Sequence, residues 1–289
     1  MCRLFGFRSR MPSQVHRSLL AAENALAVQS NDNPDGWGIA FFAEGSPHVT
    51  RSPMTAIGDA LFHRLSGAVQ SETVLAHVRR ATRGSKTVFN CHPFQYGRWV
   101  FAHNGDVRDF DQHRATLLDL VSPRLRRFVL GETDSEVLFF MFLTQLSKLC
   151  PLSFRANLNQ AMRALRATVL DVRAVCDEPG SLASSLLTVM ASDGENLLAM
   201  QGGKSLFFST HKSRCSERSQ CWGFQRSCEA PTEDDAVTHF VISSEPLHGE
   251  NVWFELMPGE MVGIDAQMRA RRPSRLRQQT IAASVLPVP

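Results

Sequence analysis

Residues 77–84 read HVRRATRG and end a run of apolar and β-branched residues, Thr73 to Val78, that predicts a β-strand. Where a strand opens into a glycine-containing turn, side chains and free backbone N–H groups can converge on a small ligand. The guanidinium of Arg79 can hold a carboxylate there through two parallel hydrogen bonds. This stretch therefore predicts a sheet protein that binds a small ligand at a strand end.

Two further segments have the same character. Residues 103–105 read HNG and end a second predicted strand, Trp99 to Ala102, so that the Asn104 amide and the Gly105 N–H can donate to a developing oxyanion. Residues 131–136 read GETDSE and begin a predicted helix with Thr133 as its N-cap. At that helix start Asp134 can receive an α-ammonium group.

Cys2 supplies a nucleophile for these groups. If Met1 is removed, Cys2 carries its own α-amine beside its thiol, and the two groups titrate near ~8 and ~8.5, so proton transfer between them is easy at neutral pH. A thiolate attacks acyl carbons readily, and the same amine can activate the water that hydrolyses the thioester. A cysteine at position 2 is weak evidence alone, and the three segments are its support.

In this order, Cys2, residues 77–84, the motif NCHP at 90–93, and residues 103–105 and 132–136 resemble the glutaminase domain of class II glutamine amidotransferases, which are N-terminal nucleophile (Ntn) hydrolases. The resemblance spans most of the chain. SSEPL at 243–247 and MPGE at 257–260 resemble stand-alone bacterial members of the YafJ type. Those members are similar to amidohydrolases of the ergothioneine pathway and of glutathione degradation.

The resemblance implies a role for each matching residue. Cys2 is the nucleophile with its α-amine as general base, and Asn104 and Gly105 form the oxyanion hole. Arg79 binds the α-carboxylate of the substrate and Asp134 binds its α-amine.

Five other positions carry less weight. Thr82 and His103 are expected to shape the pocket, and His77, Asp35 and Trp37 are weaker candidates. Each candidate also has a structural interpretation, because strand-end histidines are often core residues and a Pro-Asp-Gly turn is a common entry into a strand. An acidic residue at a helix start likewise stabilises the helix dipole.

The implied fold is α+β, a four-layer αββα sandwich of two antiparallel sheets. The element pattern agrees with it. Strands are predicted for Trp37 to Phe42, for the two runs above, and later for Leu186 to Ala191, Leu197 to Met200, Leu206 to Ser209, Val237 to Ser243 and Glu260 to Ile264. Helices are predicted from an N-cap at Ser13, around Ile57 to Leu65, from Thr133 to before Pro151, and from about Phe154 to about Val172. Strands, two helices, then strands again favour packed antiparallel sheets with outer helices.

The predicted function is hydrolysis of a γ-glutamyl amide, either glutamine or a γ-glutamyl peptide or thiol metabolite. Arg80 stands where larger synthase families commonly carry Trp, and PDGWG at 34–38 replaces their glycine loop, so the substrate is left open. No acceptor domain is recognised in the sequence. The alternative is therefore a partner-dependent glutaminase subunit, or a glutamine-sensing module, that supplies ammonia to a separate synthase. A separate synthase or a second copy of the chain is the partner to consider, and no cofactor is expected.

Composition limits the other classes. With 289 residues and 43% apolar content, we expect one domain over residues 2–268 and a basic, flexible tail over 269–289. The net charge of +3 argues against a nucleic-acid partner, and a nucleic-acid-binding arm in the tail is the weaker interpretation. No run is long enough to span a bilayer, and the odd number of scattered cysteines, seven, favours free thiols, so we expect a cytoplasmic protein.

One group of residues could alternatively form a metal site. His211, Cys215, Cys221 and Cys228 are ligands that zinc accepts. Their spacing is irregular and contains no Cys-x-x-Cys knuckle, so a loop with spare thiols is the preferred interpretation.

Overall fold

A computed structural model describes residues 2–178, 184–216, 218–231 and 236–272. The strands are β1 (Arg3–Gln14), β2 (Trp37–Ala43), β3 (Ser46–Ser52), β4 (Gln70–Val78), β5 (Phe94–Tyr96), β6 (Trp99–Asp106), β7 (Leu186–Ser192), β8 (Leu197–Met200), β9 (Phe207–Ser209), β10 (His239–Ser243), β11 (Phe254–Glu255), β12 (Met261–Ile264) and β13 (Ala270–Arg271). The α-helices are α1 (Leu26–Gln29), α2 (Ala60–Ala68), α3 (Phe110–Leu120), α4 (Pro123–Arg126), α5 (Asp134–Ser147) and α6 (Leu158–Cys176).

The strands form two antiparallel sheets. Within the described residues the first sheet has the order β11-β9-β10-β1-β4-β2-β3 and the second has the order β13-β12-β8-β7-β6-β5. Register between β1 and β4 pairs Arg3 with Val78. The start of β1 therefore lies beside the end of β4, which brings Cys2 next to the loop that begins at Arg79.

Three hydrophobic clusters show how the layers are stacked. One lies between the sheets and joins Leu4 and Leu75 of the first sheet to Val100 and Met190 of the second. Another joins the outer face of the second sheet to α3, α5 and α6, and the third joins the outer face of the first sheet to α1 and α2. Because strand side chains alternate between faces, a central strand contributes to two clusters: in β1, Leu4 belongs to the cluster between the sheets and Phe5 to the one on the outer face. The predicted αββα sandwich is confirmed.

The helix predicted from Ser13 is wrong. Ser13 lies in β1, where it pairs with Ser71 across a register irregularity, and the chain then makes one π-helical turn, Arg17–Ala21, before the short α1. The apolar spacing that suggested a helix is real, since Leu19 and Leu26 are buried against the first sheet. The apolar spacing belongs to a segment of two short helical turns that packs on the first sheet, not to one continuous helix.

The two long helices match their predicted positions, although both ends of the second lie about four residues later than predicted, since it ends at Cys176 rather than Val172. Thr133 caps α5, its side chain accepting from the Glu136 N–H, and nearly every residue of α5 is buried. The second helix begins at Leu158 instead of Phe154, because Asn157 and Gln160 form a capping box there.

The start of the expected tail belongs to the second sheet. Ala270–Arg271 forms β13 and pairs with β12, and Arg272 contacts Glu260 at 2.8 Å. The remainder of the predicted tail, from 273 to 289, lies outside the described residues. Among the described helices, none is long and apolar enough to cross a membrane.

Candidate active site

A cleft lies where the start of β1, the ends of β4 and β6 and the first turn of α5 meet. Its lining residues come from all four elements and the loops beside them: Cys2, Arg79, Arg80, Ala81, Thr82, Arg83, His92, His103, Gly105, Thr133, Asp134 and Ser135. Six of the positions predicted from the sequence are thus brought together, although they are distant along the chain. The cleft has a volume of about 20 Å³.

The Cys2 thiol is held by the backbone of the loop after β4. Its sulfur lies 3.2 Å from the N–H of Arg80, which donates to it, and 3.3 Å from the Arg80 carbonyl oxygen, to which the thiol donates. Burial raises the pKa of the thiol above its ordinary value, while the Arg80 N–H and the charge of Arg79 act in the opposite direction. A nearby base is therefore needed to form the thiolate.

Arg79 is buried and its guanidinium organises the same loop. It donates to the carbonyl oxygens of Ser85, Arg83 and Gly84 at 3.2, 2.7 and 3.3 Å. A carboxylate entering the cleft would use the remaining N–H groups or displace some of these carbonyls. The guanidinium is thus both a loop anchor and one of the cationic groups that line the cleft, with Arg80 and Arg83.

Asp134 provides the negative charge of the cleft at the first position of α5. Its Oδ2 accepts from the Val107 N–H at 2.8 Å, and its Oδ1 accepts from the Ser135 N–H at 2.8 Å. These contacts fix a buried carboxylate while leaving lone pairs for a cationic ligand.

His103 and Gly105 are packed against β7 and α5. The Leu186 carbonyl lies 2.8 Å from His103 Nε2 and can only accept, so Nε2 carries the proton; in the neutral ring Nδ1 then accepts from the Ser135 hydroxyl at 2.9 Å. A Cβ on Gly105 would lie 1.8 Å from the same carbonyl oxygen. Only glycine fits at this point of β6.

Asn104 lies on the opposite face of β6 from His103 and Gly105. It shares that face with Val100 and Ala102, which point into the space between the sheets. Asn104 is 4% exposed. Asn104 is not among the residues that line the cleft.

Thr82 and Arg83 form the outer wall. Thr82 is exposed, whereas Arg83 is anchored to Asp106 at 2.9 Å and to Asp111 at 2.6 Å. These pairs tie the loop to the end of β6 and the start of α3.

The three weaker candidates lie outside the cleft. The Trp37 ring packs on Phe62 of α2 and donates to Asp59 at 2.9 Å, which makes it a core residue of the first sheet's outer face. Asp35 holds the loop after β4 in place, because its carboxylate accepts a hydrogen bond from the Ala81 N–H at 2.9 Å and forms an ion pair with Lys86 at 2.5 Å. His77 is fully buried in β4.

His92 was given no role from the sequence, yet it lines the cleft. Its ring lies 4.3 Å, centroid to centroid, from that of His77, and neither ring has a hydrogen-bonded nitrogen within the part of the chain that is described. Burial lowers the pKa of His77 to about 3 and holds that of His92 well below its ordinary value. Both imidazoles are therefore neutral at physiological pH. For His92, its position in the motif NCHP was the available signal.

The zinc alternative is not supported. Across residues 2–178, 184–216, 218–231 and 236–272, no group of three or more His, Cys, Asp or Glu side chains is placed to hold a metal ion. All the cysteines, including Cys215, Cys221 and Cys228, are free thiols.

Comparison with known proteins identifies the relatives of the chain. The family model described as "Glutamine amidotransferases class-II" matches residues 1–284. The YafJ protein of Escherichia coli K12 is 26% identical over 274 residues, which cover 90% of this chain and 96% of YafJ. A γ-glutamyl-hercynylcysteine sulfoxide hydrolase of Mycobacterium tuberculosis is 45% identical over 119 residues, which cover 37% of this chain and 50% of that protein.

Solved structures support the same architecture. A glutamine aminotransferase class-II domain protein from Silicibacter pomeroyi superposes with a TM-score of 0.61 at 23% identity, covering 95% of this chain and all of the other. YafJ is matched over nearly its whole length. For three other curated relatives, the aligned part of this chain spans about half or less of the relative's length.

Proposed function

The chain belongs to the class II glutamine amidotransferases, and we propose that it hydrolyses a γ-glutamyl amide through a thioester on Cys2. The observation that carries this proposal is the single cleft that holds the Cys2 thiol together with Arg79, Asp134 and Gly105. A nucleophile, a cation, an anion and a strand-end glycine are the groups required to hold an amino-acid head and attack its side-chain amide.

Acylation begins when the Cys2 sulfur attacks the γ-carbonyl carbon and the thiol proton passes to the Cys2 α-amine. The charge that develops on the carbonyl oxygen is stabilised by the Asn104 amide and the Gly105 N–H. Collapse of the tetrahedral intermediate breaks the C–N bond, and the leaving amine takes the proton from the α-ammonium group. The free amine departs and a γ-glutamyl thioester remains.

Deacylation follows the same route with water as the nucleophile. The α-amine takes a proton from the water as its oxygen bonds to the thioester carbon. The C–S bond then breaks, and the proton returns to the sulfur. Glutamate leaves and the thiol is regenerated. Because the amine must be free, this mechanism requires the removal of Met1.

Substrate recognition rests on the amino-acid head common to glutamine and γ-glutamyl compounds. Arg79 takes the α-carboxylate and Asp134 takes the α-ammonium, while Thr82 and His103 bound the pocket. The name of the M. tuberculosis relative favours a γ-glutamyl thiol metabolite or peptide over free glutamine.

The test is release of glutamate from glutamine, a γ-glutamyl dipeptide and γ-glutamyl-hercynylcysteine sulfoxide. Wild type and Cys150→Ala should turn over at least one of them, and Cys2→Ala should turn over none, because Cys150 is a partly exposed thiol outside the cleft. Turnover by Cys2→Ala would contradict the mechanism. Turnover only after a second protein is added would instead support the partner-dependent glutaminase.

A further inference from the structure

Asn90 and Glu132 form a reciprocal pair behind the cleft. The Glu132 N–H donates to Asn90 Oδ1 at 2.9 Å, and Asn90 Nδ2 donates to Glu132 Oε2 at 3.1 Å. Asn90 is 1% exposed and lies in the NCHP motif, while Glu132 begins the ETDSE motif. The pair thus joins the NCHP segment, to which the proposed mechanism gives no function, to the segment that carries Asp134.

The pair also holds the loop that surrounds Arg79. Glu132 Oε2 accepts from both the N–H and the hydroxyl of Ser85, each at 2.8 Å. The Ser85 carbonyl oxygen in turn accepts from Asn90 Nδ2 at 3.0 Å and from Arg79 Nη1 at 3.2 Å. Asn90 and the guanidinium are therefore linked through one shared acceptor atom.

The surroundings leave Asn90 little freedom to move. A Cβ on Gly84 would lie 2.8 Å from Asn90 Nδ2, and a Cβ on Gly131 would lie 2.7 Å from Asn90 Oδ1. Gly84 also has φ of +71°, a conformation that other residues rarely adopt. The backbone thus approaches the Asn90 amide so closely at Gly84 and Gly131 that a side chain at either position would collide with it.

The opposite end of the pair leads to the anionic side of the cleft. Glu132 lies two residues before Asp134, which is anchored at the start of α5 and at Val107. Ser85, Asn90 and Glu132 therefore form a short hydrogen-bonded connection from the guanidinium of Arg79 to the chain segment that carries Asp134.

We propose that Asn90 and Glu132, acting through Ser85, are positioning residues that set the separation between Arg79 and Asp134, and so select substrates with a free L-amino-acid head. This inference rests on the proposed function, because it gives Arg79 and Asp134 their roles as receptors of the α-carboxylate and the α-ammonium. Loss of the connection leaves the chemistry at Cys2 intact and misplaces the groups that bind the head.

Two thiol reagents separate these effects. A glutamine-mimicking diazo ketone must bind through the amino-acid head before it alkylates Cys2, whereas iodoacetamide has no such head. For Asn90→Ala and Glu132→Ala we expect diazo ketone labelling of Cys2 to slow on the order of 10-fold to 100-fold, with iodoacetamide labelling unchanged, since misplacement by about 1 Å can lower rates by about that factor. The KM for a γ-glutamyl substrate should rise more than kcat falls.

Asn196→Ala is the matched control. Asn196 is a buried amide that donates to Ala156 and Asp193 near the start of β8 and is absent from the cleft lining. Its loss should lower the melting temperature without changing the ratio of the two labelling rates. Glu132→Gln, which keeps the shape and one acceptor oxygen, should restore much of the diazo ketone rate.

The outcomes decide the inference. Selective loss of diazo ketone labelling in the Asn90 and Glu132 variants supports it. Equal loss with both reagents, in folded protein, or no loss with either, overturns it. Failure of wild type to react with the diazo ketone at Cys2 would reject the proposed function instead, so the two failures are distinguishable.

Discussion

The imidazole rings of His77 and His92 lie 4.3 Å apart, both buried and both without a hydrogen bond to a described residue. Burial, followed by the charge of Arg79, lowers the pKa of His77 from 6.5 to about 3. A depressed histidine pKa means that the unfolded chain binds protons which the folded chain does not. The contribution to stability is therefore complete above pH 6.5 and is lost as the pH falls from there towards 3.

Acid sensitivity follows from this pair. Between pH 6.5 and about 3, His77 should lower the free energy of unfolding by up to about 1.4 kcal/mol per pH unit. Urea unfolding of wild type at a series of pH values measures this slope. His77→Phe and His92→Phe should each flatten it, and an equal slope in all three proteins would show that the pair is not the cause.

Gly105→Ala should prevent correct folding of the site. The new Cβ would lie 1.8 Å from the Leu186 carbonyl oxygen and 2.6 Å from His103 Nε2, so β6 and β7 would have to separate. We expect a loss of at least about 3 kcal/mol in urea unfolding, with no detectable activity. Gly67→Ala in α2 is the control: with nothing within 4 Å, it should be neutral or stabilise by about 0.5–1 kcal/mol.

Trp37→Phe tests whether Trp37 is a core residue or a residue of the substrate site. The change removes the indole N–H that donates to Asp59 at 2.9 Å, while Ser52 and Leu61 still donate to that carboxylate. We expect a loss of about 1–2 kcal/mol in thermal or urea unfolding, with KM and kcat unchanged. A raised KM in a folded variant would show that Trp37 contributes to substrate binding after all.

Asp134→Asn tests the anionic receptor. It keeps the size of the side chain and removes its charge, so kcat/KM for substrates with a free α-amine should fall on the order of 100-fold, since loss of one partner of a buried charge pair costs about 2–5 kcal/mol. Asp193→Asn, at a buried carboxylate outside the cleft lining, should leave kcat/KM unchanged. Equal losses for free and N-acetylated substrates would argue against a contact with the α-amine.

Much of the sandwich was predictable from local pattern. Runs such as Trp37–Ala43 and Leu186–Ser192 combine β-branched or apolar residues with turn residues at their ends, and α5 carries its cap in Thr133. The pattern failed at β1, where apolar residues after Ser13 have helical spacing but the strand is fixed by pairing with β4 and β10. Pairing between strands distant along the chain leaves no local signal.

The residues of the cleft could be predicted from sequence motifs, but the contacts between them could not. Cys2, Arg79, Gly105 and Asp134 stand in segments that resemble a known family, and the fold brings them together. The hydrogen bonds that organise the loop could not be inferred, because the contacts of Arg79 with carbonyl oxygens and of Ser85 with Glu132 involve backbone atoms. A motif can also mislead: Trp37 lies in the PDGWG motif, but its ring packs on Phe62 in the core.

The most direct test is a mass measurement on protein treated with the glutamine-mimicking diazo ketone. Intact and peptide masses are compared for wild type, Cys2→Ser and Cys150→Ala. We predict loss of Met1 and a single adduct on Cys2 in wild type and Cys150→Ala, and no adduct in Cys2→Ser. An adduct on another cysteine, or a wild-type protein that keeps Met1 and leaves Cys2 unlabelled, would contradict the assignment of Cys2 as the nucleophile.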